Sequence, residues 1–204
     1  MNALQILGLI TLGYLLGAIP VGVLVSEWLA GVDPRQAGSR NIGFTNVLRV
    51  AGTAAGVLTL FGDMGKGAAA VLAARFFLSP GADDWVLAAG GAVIVGHLFS
   101  IFLRFKGGKG VATALGVFLA IDPILGGSLV LIWLSSAVLW RTSSLAAIVA
   151  FASLPVLTWI RHPRPALVAF AVGVSCVIVY RHAENIRRLL AGTEPKFGVR
   201  HHAG

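Results

Sequence analysis

The chain has 204 residues, 57% hydrophobic and 12% charged, with a mean hydropathy of +0.87; a water-soluble domain carries about 25% charged residues, so that class is excluded. The net charge of +8 does not mark a nucleic-acid surface, because Lys and Arg cluster at the ends of apolar runs, as the positive-inside rule requires of a polytopic membrane protein. The single cysteine, Cys176 in the apolar VGVSCVIVY, excludes an intramolecular disulfide and a thiolate metal cluster.

Six apolar stretches follow one another, each judged against about 20 residues per helical span. Leu4–Leu29 has no basic region before it and outruns a signal peptide's apolar segment, so it is expected to be a retained first span. The connection Gly31–Val50 carries three arginines against one aspartate and contains GSRNIGFTNVLRV. It offers the hydroxyls of Ser39 and Thr45, the amides of Asn41 and Asn46, and the guanidinium of Arg49, with Gly38 and Gly43 allowing close backbone approach. Such a set suits a cluster of anionic oxygens. It equally suits an interfacial helix start capped by Ser39 or Asn41, with Arg49 snorkelling.

Gly52–Leu78 carries GDMGKG in its middle and is expected to be one broken helix. Asp63 and Lys66 stand three residues apart and can pair across a turn, either as functional intramembrane ions or as a neutral pair holding the break. Arg75, near the span end, is expected to snorkel, and Cys176 is expected to be buried in its span. The acidic SPGADD connection follows, then Trp85–Leu103 and the segment RFKGGKGVAT. A nucleotide P-loop needs Gly, four residues, then Gly-Lys-Ser/Thr; Leu103 and Gly110 break that spacing. Lys106 and Lys109 among Gly107, Gly108 and Gly110 at a helix N-terminus still suit a phosphate. His97 lies about two turns earlier, where a packed, hydrogen-bonded helix histidine is the ordinary case.

Val111–Trp140 is interrupted by Asp122-Pro123, a step that favours a turn. Ser143–Ile160 and Pro165–Tyr180 complete the runs. In the basic tail His182 and Asn185 share a helix face, with Arg188 three residues on; an amphipathic juxtamembrane helix on anionic lipid is the alternative. Placing the basic connections inside and SPGADD outside requires Val111–Trp140 to cross twice. The expectation is an all-α polytopic integral membrane protein, a single domain over 1–204, with about seven transmembrane helices. Its N-terminus would be outside and its C-terminus cytoplasmic. A helix starting nearer Gly107 would lengthen the short Val111–Ile121 span, and the basic RHPR at 161–164 falls outside against the rule. No His is followed five positions later by Asp, and no carboxylate–histidine cluster has metal-ligand spacing.

Three segments carry a family resemblance: GSRNIGFTNVLR, GHLFSIFLRFKGGKGVAT, and HAENIRRL with a downstream GTE. With these in that order, the chain strongly resembles the bacterial acyl-phosphate-dependent glycerol-3-phosphate acyltransferases, the PlsY family. The resemblance implies a seven-span inner-membrane enzyme whose motifs meet at the cytoplasmic face. It implies transfer of a fatty acyl group from acyl phosphate to the 1-hydroxyl of glycerol 3-phosphate, giving lysophosphatidic acid and phosphate in phospholipid synthesis. No cofactor or metal is implied; the partners are the two substrates and membrane lipids, and the oligomeric state is left open, a monomer being compatible. Carried over, Ser39, Arg49 and Lys109 hold phosphate oxygens, with Asn41, Thr45, Asn46, His97, Lys106, Gly107, Gly108 and Arg188 nearby. His182 and Asn185 position the acceptor and its hydroxyl, and the general base is the acceptor's own phosphate or His182. Arg40 departs from a usual glycine, Phe44 from a small residue and Ala183 from a basic one. The competing class is a transporter or binding protein for an organic phosphate, to which Asp63 and Lys66 would give a midplane site.

Overall fold

The computed structural model describes residues 3–197, so Arg200 of the basic tail lies outside the described residues. The described residues form ten α-helices and no strand. The chain divides into two compact units, residues 1–126 and 127–204.

The first unit begins with α1 (Ala3–Ala18) and α2 (Val21–Ala30). The expected continuous first span is thus two helices, because Pro20 has no N–H to continue the ladder. Two carbonyls at the break take donors from elsewhere in the unit, and Ile19 O also accepts the N–H of Val21 at 3.0 Å. Ser100 Oγ donates to Ala18 O at 2.5 Å, and Lys66 Nζ donates to Ile19 O at 2.9 Å. After α3 (Phe44–Ala51) comes α4 (Thr53–Phe77), and here the expected break at GDMGKG is absent. A glycine keeps its own helical hydrogen bonds, and here small size is what the residues contribute. A Cβ at Gly67 would strike the Thr113 carbonyl, and one at Gly116 the Met64 carbonyl. These contacts press α4 against α6 (Val111–Ile121), which follows α5 (Asp83–Leu98). Gly17 and Gly96 do the same between α1 and α5.

Arg75 does not snorkel. Its guanidinium donates to the carbonyls of Ala120 at 2.7 Å and Ile121 at 2.8 Å, capping the C-terminal end of α6. α6 starts at Val111 rather than near Gly107, so at 1.5 Å per residue it spans only about 16 Å. Its first turn lies beside Gly67, about 21 Å along α4 by the same rise. The glycine–lysine segment that precedes it is therefore sunk along α4. At Asp122 the chain folds back, as Asp-Pro predicts: Asp122 Oδ1 accepts the N–H of Ile124 at 2.8 Å, capping α7 (Pro123–Trp140). A Cβ at Gly126 would lie 2.5 Å from the amide nitrogen of Leu119.

The second unit adds α8 (Ser143–Arg161), α9 (Pro165–Arg181) and α10 (Ala183–Leu190) to the remainder of α7. Pro155 lies inside α8 and cannot bond the carbonyl of Phe151. Ser175 Oγ of α9 does so instead, at 2.6 Å. Cys176, expected to be buried, is exposed on α9. α9 and α10 meet at His182 with a bend of 58°.

Among the described residues, five helical segments are long and apolar enough to cross a membrane, counting Ala3–Ala30 as one, and six if α9 and α10 count as one. Trp28, Phe76 and Val138 are each at least 77% exposed, an outer surface that lipid rather than water accommodates.

Gly17→Ala should place its methyl against the Val93 backbone and destabilise the protein by about 1–3 kcal/mol. A thermal melt in detergent checks this, with an unchanged midpoint counting against the close packing.

Candidate active site

The first motif folds around one amide. Asn46, in the first turn of α3, is buried. Its Oδ1 accepts the N–H of Ser39 at 2.8 Å. Its Nδ2 donates to Pro34 O at 2.9 Å, Ala37 O at 3.1 Å and Asn41 O at 2.8 Å. The amide is committed to the backbone of the loop, so Asn46 shapes the site from behind. Gly38, at φ +59°, is required twice over: a Cβ there would be strained and would strike Asn46 Oδ1. The bend ahead of it is held by Arg35, whose guanidinium bonds Asp33 at 2.8 Å and keeps that carboxyl down at about 2. Neither Ser39 nor Asn41 caps α3; Gly43 stands at the N-cap with no side-chain bond. Ser39 and Arg49 are exposed, and Asn41 and Thr45 half-buried.

The second motif is anchored to the end of α5. Gly107 N–H donates to Leu98 O and Gly108 N–H to His97 O, both at 3.1 Å. These two amides do not form a phosphate cradle, as the sequence suggested; they pin the loop. The glycines matter because they approach so closely: a Cβ at 107 would strike the His97 carbonyl, and one at 108 the His97 ring. His97 is itself buried, behind the loop. Beyond Lys109, which is half-buried, Gly110 at φ +84° turns the chain into α6. The first N–H groups of α6 and the two lysines are what this segment offers an anion. Lys106 is exposed. Arg104 and Phe105 both hold positive φ, +51° and +62°, at a cost of about 1–3 kcal/mol each.

Packing joins these two motifs. Ile42 of the first and Leu103 of the second form one buried cluster with Val23 of α2. A Cβ on Gly22 would strike the carbonyl of Ile42.

In the second unit the third motif closes around Glu194. Its Oε1 accepts from Ser144 Oγ and from Asn185 Nδ2, each at 2.6 Å. Its Oε2 accepts from Arg188 Nε at 2.6 Å. Burial pushes the Glu194 carboxyl up, but the bonds from Ser144, Asn185 and Arg188 outweigh it and hold the carboxyl below the ordinary range. Neither Glu194 nor Ser144 was singled out as a site residue from sequence. GTE was visible, but only the fold sets its acid against Asn185 and Arg188; nothing marked Ser144. His182, at the α9–α10 corner, is buried, and its Nδ1 lies 2.8 Å from Ile178 O. A carbonyl can only accept, so Nδ1 carries a proton.

Residues 7–192 match the family model described as glycerol-3-phosphate acyltransferase. The chain belongs to this family. A glycerol-3-phosphate acyltransferase of Geotalea daltonii is 46% identical over 184 residues, covering 90% of this chain and 93% of that one. The protein of the same name from Rubrobacter xylanophilus is 46% identical over 198 residues, covering 96% and 97%. Among solved structures, PlsY (YgiH), an integral membrane glycerol 3-phosphate acyltransferase, is similar in its glycerol 3-phosphate form, with TM-score 0.88 and 41% identity over 95% of this chain and 96% of that one. Its lysophosphatidic acid form gives TM-score 0.85 at 40% identity, with 95% of each chain covered. In this family setting Arg40, where a glycine is usual, has φ +57°. That is the left-handed region which glycine occupies without cost, so the arginine bears strain there.

Because the Glu194 carboxyl is held down, its contribution to stability is present above the ordinary glutamate value of about 4.3 and is lost as pH falls below it. Hydrogen exchange of the 183–197 segment should therefore accelerate on acidification beyond the intrinsic pH effect. Glu194→Gln should abolish that extra dependence; an unaltered profile would remove Glu194 as the clamp.

Proposed function

We propose that this protein is a multi-pass membrane enzyme that transfers a fatty acyl group from acyl phosphate to the 1-hydroxyl of glycerol 3-phosphate. The products are lysophosphatidic acid and inorganic phosphate. The observation that carries this reading is the family match over residues 7–192, which spans the first two motifs and the HAENIRRL of the third. The glycerol 3-phosphate and lysophosphatidic acid forms of the similar solved enzyme fit the same acceptor and product.

In the reaction the acceptor hydroxyl attacks the acyl carbonyl. The new ester C–O bond forms, the acyl C–O bond to phosphate breaks, and phosphate leaves with the electron pair. Ser39, Arg49 and Lys109 hold phosphate oxygens in this reading, and Lys106 lies at the edge of the same basic loop. Two phosphate-bearing substrates repel one another, and at 4 Å two unit charges at an effective dielectric of 20 cost about 4 kcal/mol. Clustered cations offset this, and positioning with charge stabilisation supplies most of the acceleration. Asn185 and the Arg188–Glu194 pair orient the His182 helix. The hydroxyl proton passes to the acceptor's own phosphate or to Nε2 of His182.

The whole chain acts as one membrane-embedded domain of about seven spans in the bacterial inner membrane, N-terminus outside, with the motifs facing the cytoplasm. Support for this orientation comes from the basic connections on one side and SPGADD on the other. The transporter alternative loses its best feature, because Asp63 and Lys66 are occupied with one another and with the Ile19 carbonyl.

Purified protein in lipid cubic phase or detergent should release phosphate only when both acyl phosphate and glycerol 3-phosphate are supplied; release independent of the acceptor would refute the transfer. Lys109→Ala and Arg49→Ala should each lower kcat/KM by about 10²-fold or more while the melting temperature holds. Near-normal rates in either would strike that residue from the phosphate site. For orientation, a cysteine at Asp83 in a Cys176→Ser background should react with an impermeant reagent applied from outside and one at Thr193 should not, and the opposite pattern would invert the topology.

A further inference from the structure

Asp63, Lys66 and His97 form a buried charged cluster that the transfer reaction does not use. Asp63 Oδ1 lies 2.8 Å from Lys66 Nζ and 3.4 Å from His97 Nδ1, and all three side chains are no more than 4% exposed. For stability alone, such a pair is often no better than well-packed apolar residues. What it provides here is geometry. Lys66 Nζ bonds the Ile19 carbonyl at the α1–α2 break, which ties α4 to that break. Asp63 then faces His97 near the end of α5, and His97 meets the second motif twice. Its carbonyl accepts the Gly108 N–H at 3.1 Å, and its ring fills the space a Cβ at Gly108 would need. The next residue along the chain is Lys109. Ser100 Oγ, on the Ala18 carbonyl, fixes the same end of α5 from the other side.

We propose that Asp63, Lys66 and His97 are a positioning unit for the Gly107–Lys109 loop: the buried ion pair sets the place of the His97 ring and backbone, and these set the place of Lys109. The cluster is shut off from solvent, so it acts on substrate through the loop and not by contact. This rests on the reading of that loop as a phosphate site.

Two measurements on the full-length protein, taken together, decide it. In Asp63→Asn, hydrogen exchange over residues 104–112 should accelerate while that over α9 stays as in the wild type. The KM for at least one phosphate-bearing substrate should rise about tenfold with kcat within about threefold, the pattern of lost substrate binding rather than lost chemistry. The charge-balanced Asp63→Asn/Lys66→Met should regain the wild-type melting temperature without regaining KM or loop protection, and His97→Gln should reproduce both defects. Should Asp63→Asn not fold, the double variant and His97→Gln carry the test. Recovery of KM and protection along with stability in the double variant would reduce the cluster to an ordinary ion pair. A kinetic defect without a change in loop exchange would equally overturn the proposal. If the wild type transferred no acyl group, the acyltransferase reading would fail, and the exchange data would still decide whether the cluster holds the loop.

Discussion

A backbone carbonyl inside a bilayer must find a donor within the protein, since no water is there to supply one. The break at Ile19–Pro20 releases carbonyls of this kind, and much of the first unit can be traced from how they are met. Ser100 takes Ala18 O and Lys66 takes Ile19 O. A lysine placed so deep needs an anion, which Asp63 supplies one turn away on α4. Asp63 in turn faces His97, and His97 holds the glycines of the second motif. The cost of one proline is thus carried along a chain of partners that ends at the basic loop. The second unit uses the same device on a smaller scale, with Ser175 serving the carbonyl freed by Pro155.

Glycine makes this network possible by allowing helices to approach backbone to backbone. Gly67 and Gly116 bring α4 and α6 together, and Gly17 and Gly96 bring α1 and α5 together. In lipid, where apolar contact alone gives helices little reason to associate, such closeness supplies the packing that holds them. It also lets α6 be short. Because its first turn lies beside Gly67, it need not run the length of α4, and the segment before it can remain non-helical while lying deep. Irregular backbone at such depth is tolerated only where it is buried in protein or lines a cavity, and here α5 supplies its partners.

Much of this was legible in the sequence. Apolar run lengths gave the helical membrane class, Asp122-Pro123 gave the reversal, and the spacing of Asp63 and Lys66 gave their pairing. The first span's division at Pro20 and the continuity of α4 were not legible, for one reason. A glycine cluster and a proline both look like punctuation, yet only the proline removes a hydrogen bond. Within the site, Asn46, Gly107 and Gly108, and His97 through the resemblance alone, stand near substrate in the sequence reading because polar and glycine residues look alike whether they face a substrate or the protein's own backbone. The structure separates them: these four hold the loops, while Ser39, Arg49 and Lys106 are exposed. Glu194 was visible but without a role, since its partners come from α8 and α10 and depend on the turn at Gly192.

That separation bears on how the proposed chemistry is divided. Positive charge is needed where two phosphates approach, and there a solvated, adjustable cation such as Arg49 serves, because the substrates bring their own counter-charge. In the proposed reaction precision is needed where the hydroxyl meets its proton acceptor, and there the buried imidazole of His182 would stand. With Nδ1 donating to Ile178 O, the neutral form of the ring carries its lone pair at Nε2. In the proposed reaction Nε2 would accept from the attacking hydroxyl, whichever group finally takes the proton. If the acceptor's phosphate takes it, His182 still orients the hydroxyl lone pair towards the carbonyl. If His182 takes it, the imidazolium forms with its second N–H already bonded. In that proposal the same tautomer serves both routes, and His182 would set the direction of attack whichever group is the base.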